Sequence, residues 1–375
     1  MNNVQYWLWL STIYGLGQQG IAGLFGSFKT PEQIYNTTDF SNIPGLTAQA
    51  AAGLCNKNME RVHKIIQDCN NNNIKIATKE NPLYPARLKA ENSPLLLYYK
   101  GDLSCLDNTF TISVVGTRKA TEQGMAHALG FGRQLAAGGG VVISGMAAGI
   151  DTQAHVGALD MGGKTVAVLG HGLDICFPKS NSRLMEEIEQ NGTVISIFAP
   201  GTPGKSHHFP MRNKIVSGLS AATLVVEAPV SSGALITANI TLDAGKQVYV
   251  LPGAPDHPNY AGSNQLLVEG ARAVLKGSDI LKAYTQLFDV CPEAADESIK
   301  QTAKKEKAQK KQEKYQGLDR NMLVVMQAIE LAPVSVDQIL EATGETLSVV
   351  LSSITMLEAF GFIKAIPGGR YQAVD

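Results

Sequence analysis

Between residues 111 and 290, short β-rich apolar runs alternate with helical patterns, and this alternation restricts the fold more than any other feature. Six runs read as buried strands: Thr111–Val115, Val141–Ser144, Thr165–Leu169, Thr193–Phe198, Thr223–Glu227 and Gln247–Leu251. Helical patterns separate them at Thr121–Ala136, Asp151–Leu159, Ser180–Gln190, Pro210–Leu219 and Ala234–Ala244. A strand covered on both faces is a continuous apolar run, and successive parallel strands need a crossover, usually a helix. The pattern therefore predicts an α/β fold with a doubly wound, mostly parallel sheet. Composition fits: charged residues are 17% of the chain, below the ~25% usual for soluble domains, and 37 of 375 residues are Gly.

The flanks differ. Residues 1–75 look helical, and two turn signals repeat there: Tyr14-Gly15-Leu16-Gly17 and Ile43-Pro44-Gly45-Leu46, each feeding a helix. Such turns belong to helix-hairpin-helix (SAM-like) units, whose backbone N–H groups can meet a DNA phosphate. They serve equally in a structural bundle, and no Lys or Arg stands beside either one. Residues 76–110 read as a connector with Pro82, Pro85 and Pro94, and its apolar run Leu95–Tyr99 suggests a strand at the sheet's edge. Residues 291–316 read as a charged linker, with seven Lys and two Glu between Lys300 and Lys314. That run is either a solvated spacer or a nonspecific phosphate contact. Residues 317–375 give three helices and a hairpin, the pattern of a winged helix.

Charge narrows the functional classes. The formal net charge is −1, which excludes a globally basic nucleic-acid binder but not a local patch. Ligands of open α/β sheets sit at the carboxyl ends of the strands. The loops expected there are Gly116-Thr117-Arg118-Lys119, Ser144 to Asp151 with Gly145 and Gly149, Gly170-His171-Gly172 leading to Lys179 and Arg183, Pro200 to Lys214, Ser231-Ser232-Gly233 and Pro252-Gly253. Residues 111–290 hold 13 basic and 13 acidic residues, yet these loops bring seven cations: Arg118, Lys119, Lys179, Arg183, Lys205, Arg212 and Lys214. Helix N-termini and cations on one side of a sheet suit a row of phosphates. Phe209, with His207 and His208, supplies either a stacking surface for bases or ordinary packing, and cations interleaved with an aromatic suit single-stranded nucleic acid.

Asp151 and His155 lie at i, i+4 on one helix, an arrangement open to acid/base chemistry, half of a metal site, or local capping and packing. The chain lacks the H-E-x-x-H, G-x-x-x-x-G-K-[ST] and G-x-S-x-G motifs, so zinc hydrolase, P-loop ATPase and serine hydrolase have no support. The five Cys show no C-x-x-C pair, and the apolar stretch Val4–Leu10 has no basic leader and is too short to span a bilayer. A cytoplasmic protein is expected. The third helix of the winged-helix pattern, Thr346–Phe360, has no Lys or Arg, and residues 316–375 hold three basic against seven acidic residues. Groove reading needs cations, so a protein-contact or packing role is expected of that module.

The motif series resembles the DNA-processing protein A (DprA/Smf) family. The matching stretches are Val114-Val115-Gly116-Thr117-Arg118, Ser144 to Asp151 with His155, Phe177-Pro178-Lys179, Phe209 to Ser220, Ser231 to Ala238, Val250 to Gly253 and Gly262 to Leu267. The resemblance is dense over roughly 80–290 and looser at both flanks. It implies a Rossmann-like domain that binds single-stranded DNA, forms a homodimer and has no catalytic role or cofactor. It further implies delivery of the strand to the RecA recombinase, with displacement of single-strand binding protein, during natural transformation. Carried over by motif, Arg118 and Lys179 would grip phosphates, Lys205, Arg212 and Asn213 would extend the groove, and Phe209 would lie near a base. The family often has Ser before the loop arginine; Thr117 keeps the hydroxyl. Phosphoribohydrolase-like enzymes share this kind of sheet but use Gly-Gly-x-Gly-Thr-x-x-Glu after a strand. Ser231 to Asn239 holds one glycine and no carboxylate, which leaves glycosidic cleavage unsupported. A nucleotide-sensing module is the third possibility.

Overall fold

The computed structural model describes residues 3–89, 93–302, 315, 317–330 and 332–374. It divides into two compact units, 1–299 and 300–375.

The first unit is built on a nine-stranded sheet of order β1-β2-β6-β5-β4-β3-β7-β8-β9. The strands are β1 (Lys75–Thr78), β2 (Leu96–Gly101), β3 (Thr111–Val115), β4 (Val141–Ser144), β5 (Thr165–Leu169), β6 (Thr193–Ser196), β7 (Ala222–Val225), β8 (Gln247–Val250) and β9 (Arg272–Ala273). Strands β3 to β9 pair in parallel, as the alternating pattern predicts. The chain winds outward from β3 through β4 and β5 to β6, then returns to lay β7 on the other side of β3. The reversal opens a crevice between the carboxyl ends of β3 and β7.

Two strands depart from the expectation. The run Leu95–Tyr99 is not an edge: β2 lies between β1 and β6, antiparallel to both. Its side chains are buried from Leu96 to Tyr99, which is why it reads as an interior strand's apolar run. The edge is β1, which shields it.

Alternate strand residues feed opposite cores. Val115, Val141 and Ile143 pack on one face, beneath helices α9 (His208–Leu219) and α10 (Gly233–Asp243). Ile112, Val114 and Val142 pack on the other, with α6 (Glu122–Ala137) and α7 (Ile150–Asp160). Ala295 is buried in this second core, and Asp296 pairs with Lys276 at 2.9 Å.

The N-terminal helices α1 (Val4–Ser11), α2 (Gln18–Ser27), α3 (Pro31–Asn36), α4 (Ala48–Cys55) and α5 (Glu60–Asn71) share a third core with the sheet. Trp7, Trp9 and Leu54 belong to the same cluster as Leu96, Tyr98, Leu169 and Met185. Both expected turns are present, with Gly15 and Gly45 at φ +75° and +72°. They are used for packing: a Cβ at Gly23 would collide with the Pro44 carbonyl, so the first hairpin's helix lies directly on the second turn.

The second unit has helices Arg320–Ile329, Val336–Thr343 and Leu347–Ala359 and a small sheet of order β10 (Val334–Ser335), β12 (Arg370–Ala373), β11 (Ile363–Ile366). Val325, Ile329, Ile339, Val350, Ile354 and Leu357 form its core. This is the expected winged helix. Most of the lysine run, 303–314, lies outside the described residues. No helix among the described residues is long and apolar enough to cross a membrane.

Candidate nucleic-acid interface

The loop after β3 is shaped by short-range bonds. The Thr117 amide donates to the Glu227 carbonyl at 2.7 Å, tying the loop to the end of β7. The Thr117 hydroxyl accepts from the Lys119 amide at 3.2 Å, and this turn leaves Arg118 and Lys119 exposed. Gly149, at φ +82°, passes beneath: a side chain there would strike the Thr117 carbonyl as well as strain the backbone.

Beside this loop lies a buried polar cluster. Arg212 enters from α9, is 5% exposed, and donates through Nη1 to the Val168 carbonyl at 2.7 Å. Its Nε has no hydrogen-bond partner. Gly145 makes room for it, because a Cβ at that position would collide with the guanidinium. The Asp151 carboxylate accepts from the Gly145 and Ala147 amides at 3.1 and 3.4 Å. Burial pushes the Asp151 carboxyl up and the Arg212 guanidinium down, and each opposes the other's shift. His155 turns elsewhere. Its Nδ1 is 2.7 Å from the Thr165 hydroxyl, and burial, with Arg212 nearby, pushes its pKa down to about 3. Asp151 thus caps its own glycine loop, and the His155 ring is anchored on β5.

A cavity of about 390 Å³ opens at the β3/β7 crevice. Eight of the sequence-predicted residues line it: Gly116, Thr117, Arg118, Lys119, Gly145, Phe209, Arg212 and Asn213, together with Ser231, Ser232 and Gly233 at the start of α10. The guanidinium carbons of Arg118 and Arg212 lie 5.1 and 5.9 Å from the centre of the Phe209 ring. That ring is half-buried, with the exposed Arg118 and the buried Arg212 both beside it. The Asn213 amide donates to the Gly233 carbonyl at 3.3 Å and closes the far wall.

The other expected residues lie apart. Lys179 and Lys205 are exposed and line neither this cavity nor its neighbour. Arg183 is exposed on α8 (Ser182–Asn191) and bonds Glu187 one turn on, at 3.0 Å. Lys214 faces away altogether. It lines a separate, largely apolar cavity of about 310 Å³ with Leu10, Ile21, Leu96 and Met211. One residue to which the sequence reading gave no role joins the site: Phe177, 56% exposed, lines a small adjoining cavity with Phe209, Arg118 and Arg212. Its signal was present as an aromatic two residues before Lys179.

Comparison with known proteins identifies the family of the fold. A family described as DNA recombination-mediator protein A matches residues 75–285, and the DprA winged helix domain matches 309–369. Protein Smf of Synechocystis sp. is 30% identical, covering 98% of each chain. Among solved structures, the DNA processing protein A from Streptococcus pneumoniae is similar with a TM-score of 0.65 and 32% identity, over 74% of this chain and 97% of that one. The Helicobacter pylori protein, studied for its unique single-stranded DNA binding mode, gives a TM-score of 0.52 and 28% identity, over 57% and 97%. A sheet that reverses at β3, a glycine loop carrying Arg118 and a C-terminal winged helix accord with these matches, and this chain is a member of the DNA recombination-mediator protein A family.

Proposed function

We propose that the strand-end face of the first unit binds single-stranded DNA. The observation that carries this reading is the pair of arginines, Arg118 and Arg212, both close to the Phe209 ring at a cavity lined by the N-terminus of α10. The exposed Arg118 and Lys119 meet phosphates, the Phe209 and Phe177 rings offer surfaces for bases, and Lys179 and Lys205 extend the track. Membership in a DNA recombination-mediator family and the single-stranded DNA binding of the Helicobacter pylori relative support this reading. The role is that of a recombination mediator in natural transformation, handing the strand to the RecA recombinase and displacing single-strand binding protein. It acts as a cytoplasmic homodimer, for which exposed Val268 and Leu275 near the β9 edge offer apolar surface. No catalysis is proposed: the one carboxylate lining the cavity, Asp151, is engaged by the Gly145 and Ala147 amides.

A fluorescence titration with single- and double-stranded oligonucleotides over a salt series tests the reading. Arg118→Ala should weaken single-strand binding by about 1–2 kcal/mol, close to tenfold, and lower the salt slope by about one. Unchanged affinity and slope would refute it.

A further inference from the structure

Glu227 stands at the end of β7 with no exposed surface, beside the cation-bearing loop. Its carboxylate accepts from the Thr121 amide at 3.1 and 3.2 Å and from the Thr121 hydroxyl at 3.0 Å. It also accepts from the Asn259 side-chain amide, which donates in turn to the Lys119 carbonyl at 2.9 Å. The Glu227 backbone carbonyl already receives the Thr117 amide. One residue and its partner therefore fix the loop at Thr117, Lys119 and Thr121, leaving Arg118 as the outward-facing residue between the anchors. The fit is close: a Cβ at Gly124, in the first turn of α6, would collide with the carboxylate.

A carboxylate suits this place because every group it meets is a donor, and an ionised carboxylate only accepts. A buried carboxylate is costly to keep without such partners. Nothing in sheet building requires one at the end of β7, where an apolar side chain would fill the space. What it supplies is a loop ordered before DNA arrives, so that binding does not have to freeze Arg118 and its neighbours.

We propose that Glu227, through Asn259 and Thr121, is a positioning residue that presents Arg118 to the DNA phosphate. This rests on the proposed single-stranded DNA site, and the test separates the two. In the free full-length chain, Glu227→Gln places an amide N–H₂ against donors, and amide hydrogen exchange over 117–121 should quicken by about tenfold or more. With a single-stranded oligonucleotide, Glu227→Gln should weaken binding by about five- to tenfold and lower the salt slope by about one. In an Arg118→Ala background the same change should add less than about twofold, because the loop's purpose is already lost. Thr121→Val should copy the loss and Thr121→Ser restore it. Asn259→Ala, at a half-buried position, gives the same readouts should Glu227→Gln fail to fold. Unaltered exchange at 117–121, or full additivity with Arg118→Ala, overturns the proposal. If Arg118→Ala itself leaves binding unchanged, the DNA site is what fails, and exchange still decides the brace.

Discussion

Two parts of this molecule have folds that in other proteins carry nucleic acid, and they are equipped in opposite ways. At the strand ends of the first unit, Arg118 and Lys119 stand exposed above a buried Arg212. In the winged helix, the helix Leu347–Ala359 has no cation and shows Leu347, Leu351, Ser348 and Ser352 to solvent. Fold alone would nominate both regions; the side chains nominate one. A charge count for the whole chain hides the difference, since the net −1 is the sum of +1 for 1–110, 0 for 111–290 and −2 for 291–375.

Acid should separate the two units most strongly. All seven histidines lie in residues 1–299, and His155 is held neutral with its pKa pushed down to about 3. The unfolded chain takes up that proton first, so the stability His155 contributes is complete above about pH 6.5 and is lost as pH falls toward 3. The full loss is on the order of 4 kcal/mol, opposed in part by Asp151, whose carboxyl is shifted upward. Denaturant unfolding at stepped pH should show the first unit weakening across this window, and His155→Gln should flatten the slope. An equal response in the winged helix would break the contrast.

Next in size is Gly145→Ala, whose methyl group would collide with the Arg212 guanidinium. Overpacking of this kind costs about 1–3 kcal/mol. Displacement of Arg212 should also lower single-strand affinity, and wild-type affinity in that variant would mean that the buried arginine has no part in binding. Smaller still is the gain expected from Ser348→Lys with Ser352→Lys on the winged helix. If missing cations are what disqualify that helix, affinity should rise by about 1 kcal/mol or less and the salt slope should steepen. The smallest effect is that of ending the chain after Gly317, which should shift single-strand affinity by less than about twofold. A large loss with the first unit still folded would give the winged helix a direct part in the contact.

Much of this was legible in the sequence, for identifiable reasons. Strands β3 to β8 are continuous apolar runs because helices cover both faces of the sheet, so their extents read to within a residue or two. Strand β9 is only two residues long and exposed, and β1 is exposed at its first residue and buried only at its last two, so neither leaves a continuous apolar run. The site's residues were legible as loop members, but loop membership does not give direction. Arg212 and Lys214 are two apart on one helix, which turns them to opposite sides, one into the crevice and one toward the apolar cavity. Glu227 read simply as the last residue of the strand run Thr223–Glu227, because its partner Thr121 is 106 positions away in the chain.

The placement of β2 inside the sheet bears on how the protein can be divided for study. A fragment begun at residue 76 would lose the five N-terminal helices and the first residue of β1, leaving β2 with a damaged neighbour. Leu96, Tyr98, Leu169 and Met185 would lose the Trp7 and Trp9 side of their shared core. A poorly covered strand edge beside a bared apolar face is a recipe for aggregation. The helices ahead of the sheet thus act as its built-in solubilising cover, and the shortest well-behaved piece of this half of the protein begins before Trp7.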